Sequence, residues 1–235
     1  GLTNGVLPPY LLLLVSGGHT QIILVDAVGH YRRIGTTIDD ALGEAFDKTA
    51  KLLGLGFPGG PAVERHARRG DTSRIRLPRP MIGRPQAQFS FAGLKTAVRR
   101  QAQRLAPLSE IDIADLCAGF EDAVCACVDD RIRLAYSRLD ENGARARPPL
   151  VAAGGVACNL RLRAALRTVS ADLGVTFHVP SPDLCADNAA MVAWAGAQSF
   201  LRGRIDPLDT LARARWPLDS TSDSVYGSGR LGPKV

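Results

Sequence analysis

Long apolar runs are absent from this sequence of 235 residues. A transmembrane helix needs about 18 or more consecutive apolar residues, and no window approaches that length, so we expect no contact with a membrane. The charged, apolar and cleavage regions of a secretory signal peptide are also missing. The first residue is Gly1 rather than Met, and we therefore expect a fragment of a longer protein.

Cysteine is scarce, and the number of cysteines is odd. No C-x-x-C occurs, so neither a disulfide framework nor a zinc ribbon is indicated. Without an export signal, the reduced thiols of a cytoplasmic protein are the default, and most of these residues are expected to be small core residues. The five are Cys117, Cys125, Cys127, Cys158 and Cys185.

Histidine is scarcer still, and two nucleotide-binding motifs are missing. No two histidines are four residues apart and no H-E-x-x-H occurs, which argues against a metalloprotease. Neither G-x-x-x-x-G-K-[ST] nor G-x-G-x-x-G is present, so a P-loop and a Rossmann dinucleotide site are not supported. The four histidines are His19, His30, His66 and His178.

Positive charge is concentrated in one part of the chain. The net charge is +6, and between Arg65 and Arg104 the only acid is Asp71. A basic segment of this kind suits a polyanion such as RNA, although the excess of Arg over Lys throughout the chain also fits a bias in genome composition. This basic belt comprises Arg65, Arg68, Arg69, Arg74, Arg76, Arg79, Arg84, Lys95, Arg99, Arg100 and Arg104.

The order of the predicted elements is that of an α/β protein. Residues 10–26 read as two apolar strands joined by a tight turn. A helix follows near residues 41–53, with Asp39 or Asp40 as its N-cap and Gly54 as its stop. Further along come a long helix capped by Ser109, then strand-turn-helix units and a final apolar helix. Strands that alternate with helices favour α/β architecture.

Three glycine-rich turns follow apolar segments: 16–20, 58–61 and Gly154-Gly155. Glycine lets the backbone approach a phosphate closely, and exposed N–H groups at a turn can bind an anion. One such turn would be an ordinary structural turn. Three of them together favour a nucleotide cleft.

Five segments in order carry a resemblance to a known family: "LLLVSGGHTQIILV", "DDALGEAFDKTAKLLGLGFPGGPAVERHA", "FSFAGLKTAV", "VAAGGVACNLRLR" and "CADNAAMVAWAG". Over residues 10–204 the chain resembles the bacterial tRNA adenosine threonylcarbamoyltransferases, formerly called O-sialoglycoprotein endopeptidases. The resemblance implies an actin-like ATPase fold, as in sugar kinases and heat-shock ATPases, represented mainly by its second lobe.

The resemblance also implies a division of the chain. Residues 1–185 would form the second lobe with the nucleotide cleft, and a helix in 186–204 would return toward a first lobe that is largely missing. Residues 205–235 would form an irregular tail, in which "RARWPLD" loosely resembles the tails of family members.

The implied reaction is an acyl transfer to RNA. Family members transfer the threonylcarbamoyl group from threonylcarbamoyl-adenylate to the N6 amine of the adenosine beside the anticodon, in tRNAs that read codons starting with A. The implied partners are tRNA, an actin-fold partner subunit and a small ATPase. The residues that match the family's substrate-binding positions are Leu14, Val15, Ser16, Gly17, Gly18, Asp47, Gly60 and Asn159. No residue is assigned as catalytic.

Asp187 matches the family's carboxylate ligand to a metal ion, which is usually iron. In the family an H-x-x-x-H pair upstream of the hairpin completes that site, and this chain lacks the pair. The fragment alone is therefore expected to bind metal poorly, and its activity in isolation is in question.

Simpler interpretations of the same residues stay open. Asp47 could be a solvated helix carboxylate, Asn159 a helix cap and Asp187 the N-cap of the last helix. The main functional alternative is a non-catalytic partner subunit of the same fold. A metalloprotease and a small-molecule kinase of the same superfamily are weaker alternatives, because no motif for either is present.

Overall fold

The computed structural model describes residues 5–141, 146–212, 218, 219 and 221. Within this part of the chain, a mixed sheet has the strand order β3-β2-β1-β4-β5. The first three strands form an antiparallel meander, and β4 and β5 add in parallel on the other side of β1. The strands are β1 Tyr10–Val15, β2 Thr20–Ala27, β3 His30–Thr36, β4 Leu150–Ala153 and β5 Phe177–His178.

The predicted hairpin at 10–26 is confirmed, and its register places the tip. Val15 pairs with Thr20 at the end of the ladder, so Ser16 to His19 form the turn. Leu14 also pairs with Ala153 of β4, which brings the Gly154 turn beside the hairpin tip. The central position of β1 in the sheet therefore places two glycine turns side by side.

The helices pack on this sheet around α4, which is buried along much of its length. Its Phe120 meets Phe46 of α1 edge to face, with 5.0 Å between the ring centroids. A short 3-10 turn, Gly155–Cys158, precedes α5. The helices are α1 Leu42–Leu52, α2 Gly59–Ala67, α3 Ala92–Leu105, α4 Glu110–Glu141, α5 Leu160–Asp172, α6 Pro182–Cys185 and α7 Ala189–Phe200.

The predicted N-cap of α1 is wrong. Its N-cap position is held by Ala41, while Asp39 reaches across to the start of α3. The Asp39 carboxylate accepts hydrogen bonds from the backbone N–H of Phe91 at 2.7 Å and of Ala92 at 3.2 Å. A carboxylate is stabilised beside any exposed helix N-terminus. The Asp39 carboxylate caps α3, which is distant in sequence, instead of α1, the helix that follows it. The stop at Gly54 is confirmed, since its φ is +73°.

The other helix-end predictions have mixed outcomes. Ser109 caps α4, because its Oγ accepts a hydrogen bond from the Asp112 N–H at 3.2 Å. The N-cap of α7 is Asn188 rather than Asp187, with the Asn188 side chain accepting from the Met191 N–H at 2.9 Å. The final helix lies inside the predicted range 186–204, and none of its residues is buried by the described part of the chain.

Residues 205–212 contain neither helix nor strand, as predicted for the start of the tail, whereas most of "RARWPLD" lies outside the described residues. Among the described helices, none combines the length and the apolar character needed to cross a bilayer.

Candidate functional site

The hairpin tip is shaped by the Ser16 side chain. Its Oγ accepts hydrogen bonds from the backbone N–H of Gly18 at 3.3 Å and of His19 at 3.0 Å. The Ser16 N–H closes the turn by donating to the His19 carbonyl at 2.8 Å. Gly17 and Gly18 are exposed, and a Cβ built on either would meet no atom within 4 Å. Hydrogen bonds within the turn therefore fix the conformation of the tip, and its outer surface at Gly17 and Gly18 is accessible.

The N-terminus of α1 docks directly on this tip. The Gly43 N–H donates to the Ser16 carbonyl at 3.1 Å, and the Leu42 N–H donates to Thr20 Oγ1 at 2.7 Å. A Cβ on Gly43 would lie 2.7 Å from the Ser16 oxygen and 2.8 Å from Gly17 Cα, so only glycine fits. The positive end of the α1 dipole is thus placed beside the exposed amides, an arrangement that favours an anion.

The Gly154 turn packs against the base of the same tip. Gly154 has φ +98° and ψ 162°, a conformation that belongs almost only to glycine. A Cβ there would lie 2.2 Å from the Val15 carbonyl oxygen. Gly155, the next residue, faces open space. Two of the three glycine turns are therefore in direct contact.

Asp47 connects the third turn to the other two. Its Oδ1 accepts a hydrogen bond from the Gly59 N–H at 2.8 Å, at the first residue of α2. Asp47 follows Gly43 by one helical turn, about 6 Å along α1. Within the described residues no hydrogen bond is formed by Oδ2, and Gly60, the residue after Gly59, has open space at its Cα. One carboxylate oxygen therefore holds the site together and the other can accept from a ligand.

Both polar atoms of the Asn159 side chain form hydrogen bonds within the protein. Its Oδ1 caps α5 by accepting from the Leu162 N–H at 2.8 Å, and its Nδ2 donates to Glu121 Oε1 at 2.6 Å. The helix-cap interpretation of Asn159 is confirmed. Its predicted contact with the nucleoside stays a prediction, because both polar atoms of the amide already have protein partners.

Glu121 is the site residue that sequence reasoning missed. It is only 3% exposed, on the buried face of α4. Burial raises the pKa of its carboxyl group, and the hydrogen bond from Asn159 acts in the opposite direction. Glu64 of α2 adds a second carboxylate nearby, and its Oε1 accepts from the Leu160 N–H at 3.2 Å. The signal in the sequence that could have identified Glu121 is an acidic residue among apolar neighbours on one helical face.

Asp187 lies in an exposed segment between α6 and α7. Among the residues that the structure describes, no group of three or more His, Cys, Asp or Glu side chains could hold a metal ion. Asp187 supplies a single carboxylate, so the described residues alone do not fit a metal site.

The basic belt divides into paired and unpaired cations. Arg74 bridges Asp112 and Asp115 of α4, at 2.6 Å in each case, so its charge is neutralised within the fold. On α3, by contrast, Arg99, Arg100 and Arg104 are exposed and form no ion pair with the described residues. The other belt residues with ion pairs are Arg68, Arg79 and Lys95.

The comparison with protein families bears on this arrangement directly. A family model described as TsaD, tRNA N6-adenosine threonylcarbamoyltransferase, matches residues 2–194. The chain belongs to this family. The resemblance that the sequence motifs carry is confirmed, and the match includes every predicted site residue from Leu14 to Asp187.

Curated relatives of the family are similar over the whole chain. A tRNA N6-adenosine threonylcarbamoyltransferase from Brucella anthropi is 56% identical over 235 residues, which is all of this chain and 66% of the relative. One from Rhizobium leguminosarum bv. trifolii is 54% identical over 237 residues, or 65% of its length. The chain thus spans slightly less than two thirds of the length of these relatives.

A solved structure supports the fold. The crystal structure of HypF from T. kodakarensis superimposes with a TM-score of 0.60 and 15% identity, over 83% of this chain and 34% of that one. At this identity the likeness concerns the fold alone. Together with the family match, it confirms the predicted α/β, actin-like ATPase fold. The predicted lobe boundaries stay predictions.

Proposed function

We propose that this chain is the adenylate-binding part of a tRNA N6-adenosine threonylcarbamoyltransferase. One observation carries the proposal beyond family membership: two glycine turns that are distant in sequence pack against each other, and α1 joins the third turn to the hairpin tip. An actin-like lobe that brings backbone amides, a helix N-terminus and a free carboxylate oxygen together is suited to a nucleoside phosphate.

The proposed roles follow from the chemistry of each group. The Gly17 amide, with the N-terminus of α1, holds the phosphate, Gly18 leaves open space beside it, and Leu14 and Val15 supply the rigid strand end beneath them. Asp47 Oδ2 accepts from a ribose hydroxyl, with Gly60 beside it. Asn159 and Glu121 fix the turn that supports the nucleoside.

The proposed reaction needs donors on the leaving group. The N6 amine of adenosine attacks the carbamoyl carbon, a new C–N bond forms, the bond from that carbon to the phosphate oxygen breaks, and AMP leaves. The amine loses a proton. Negative charge grows on the departing phosphate, and preorganised amides stabilise it without reorganisation. The hairpin tip is the group best placed for this role.

Reconstitution tests the function. The full-length protein would be combined with the adenylate-forming enzyme, the partner subunits, threonine, bicarbonate, ATP and unmodified tRNA, and modified adenosine would be measured. Product that depends on the full-length protein is expected. If the other components make product at the same rate without it, the non-catalytic partner role replaces the proposal.

The three unpaired arginines of α3 are proposed to contact the tRNA backbone. Replacing Arg99, Arg100 and Arg104 together with Gln should lower tRNA affinity by about tenfold or more, because each phosphate contact releases counterions. The slope of log affinity against log salt should fall by about 2 in the same experiment. As a control, Arg32→Gln removes an exposed arginine that is ion-paired with Asp26 and should leave the affinity unchanged. An unchanged slope in the triple variant would remove α3 from the tRNA footprint.

Asp187 is proposed to be one carboxylate ligand of a metal ion, iron by the family resemblance, with further ligands outside this chain. In the full-length protein, Asp187→Ala should lower the metal content by about tenfold, measured by elemental analysis after dialysis. Asp183→Ala, at another exposed carboxylate four residues earlier, is the matched control and should retain the metal. Equal metal content in both variants would contradict the assignment.

Cytoplasmic location and the two partner subunits are proposed on the family resemblance. The exposed side chains of α7 agree with a further covering surface, since Val192 is 66% and Phe200 68% exposed in the described part of the chain. We propose that the first lobe covers them.

A further inference from the structure

Two of the five cysteines meet in space although they lie far apart in the sequence. Cys158 ends the 3-10 turn before α5, and Cys185 ends α6. The 3-10 turn packs against α6, so the two thiols lie at the junction of these segments. Each also donates to the same short segment: Cys158 Sγ lies 3.7 Å from the Pro182 carbonyl oxygen, and Cys185 Sγ lies 3.6 Å from that of Pro180.

A buried arginine fixes the geometry of this thiol pair. The Arg163 guanidinium donates to the Ala157 carbonyl at 2.5 Å and to the Pro180 carbonyl at 3.2 Å, so it joins the two segments that carry the cysteines. Its Nη2 is also 3.4 Å from Cys185 Sγ. Arg163 therefore holds the two cysteine-bearing segments against each other.

The two thiols differ in access. Cys158 is half-buried, whereas Cys185 is 6% exposed. A small reagent therefore reaches Cys158 first and leaves Cys185 behind it as the resolving thiol. The other three cysteines are all on α4.

We propose that Cys158 and Cys185 form a dithiol site that low-molecular-weight disulfides modify. In the first step the Cys158 thiolate attacks a disulfide RS–SR, so that a Cys158–SR bond forms, the S–S bond breaks and RS⁻ leaves. In the second step the Cys185 thiolate attacks Cys158, forms the Cys158–Cys185 disulfide and releases a second RS⁻. The two protons of the protein thiols pass to the released thiolates, and the protein loses two electrons to the reagent.

The site goes beyond the proposed transfer reaction, because it requires neither adenylate nor tRNA. A disulfide here would tie the turn before Asn159 to α6, just ahead of Asp187 and α7.

Trypsin separates the relevant thiols. Cleavage places Cys158 in the peptide 146–161 and Cys185 in 168–202, while Cys117, Cys125 and Cys127 share the peptide 105–131. The full-length protein would be incubated with oxidised glutathione, free thiols alkylated, and the digest analysed by mass spectrometry. We expect a linked 146–161/168–202 pair that reduced glutathione reverses.

Two variants keep this proposal falsifiable. Cys158→Ala should abolish the linked peptide, and Cys125→Ala, at another half-buried cysteine, should leave its yield unchanged. The disulfide should also raise the melting temperature of the wild type by several degrees relative to the reduced form. Persistence of both thiols after prolonged incubation, or a stable glutathione adduct on Cys158 with no linked pair, would overturn the proposal.

Discussion

Replacing Gly154 with alanine is expected to lower the free energy of unfolding by about 3 kcal/mol or more, and to abolish adenylate binding. At φ +98° and ψ 162° a side chain is strained by itself. The added Cβ would also lie 2.2 Å from the Val15 carbonyl oxygen, which cannot move without displacing the central strand. Because Val15 leads into Ser16, the displacement reaches the hairpin tip.

Gly155→Ala is the matched control. Gly155 has open space around its Cα and no positive φ. The free energy of unfolding of the variant should therefore lie within about 0.5 kcal/mol of the wild-type value. Chemical denaturation of the full-length protein measures both. If Gly154→Ala proves as stable as Gly155→Ala, the two turns are not packed together as described, and the site loses its central contact.

Asp47→Asn is expected to weaken binding of the adenylate by about 10- to 100-fold while leaving the fold intact. The Asn Oδ1 can still accept from the Gly59 N–H, which preserves the contact between α1 and α2. The second oxygen, however, becomes an NH₂ donor and can no longer accept from a ribose hydroxyl. Titration calorimetry with an inert analogue of threonylcarbamoyl-adenylate measures the effect.

Asp47→Ala separates the two functions of this carboxylate. It removes both acceptors, so it should weaken binding to a similar extent and also lower the free energy of unfolding by about 1–2 kcal/mol. If only the alanine variant binds weakly, Asp47 has a structural role alone. If both variants bind as the wild type does, the ribose contact is wrong.

Much of the sheet was predictable because its signals are local. The apolar strands around Ser16 to Thr20, and the glycine at position 54, depend on periodicity and on backbone conformation within a few residues. The long helix after Ser109 was equally predictable, because its cap and its apolar periodicity lie in one continuous segment.

The failures concern side chains that act over long distances in the sequence. Asp39 resembles an N-cap of the helix that follows it, but its carboxylate caps α3, whose first residues come some fifty positions later. Glu121 acquires a role only when α5 places Asn159 against it. The local signal, an acidic residue on a mostly apolar helical face, does not identify that partner.

Two features needed other kinds of information. The three glycine turns together favoured a nucleotide cleft, and the family resemblance specified an adenylate before the structure showed their contacts. The proximity of Cys158 and Cys185 to the same segment, 180–182, was not predicted, because both residues have the sequence surroundings of ordinary core cysteines.

The central claim is that the hairpin tip, the start of α2 and the Gly154 turn together hold an adenylate. Hydrogen–deuterium exchange of the full-length protein, with and without an inert analogue of threonylcarbamoyl-adenylate, tests it directly. The account predicts that saturating analogue slows amide exchange in residues 16–19, 58–61 and 154–159 in parallel. Protection confined to other segments, with these three unchanged, would contradict it.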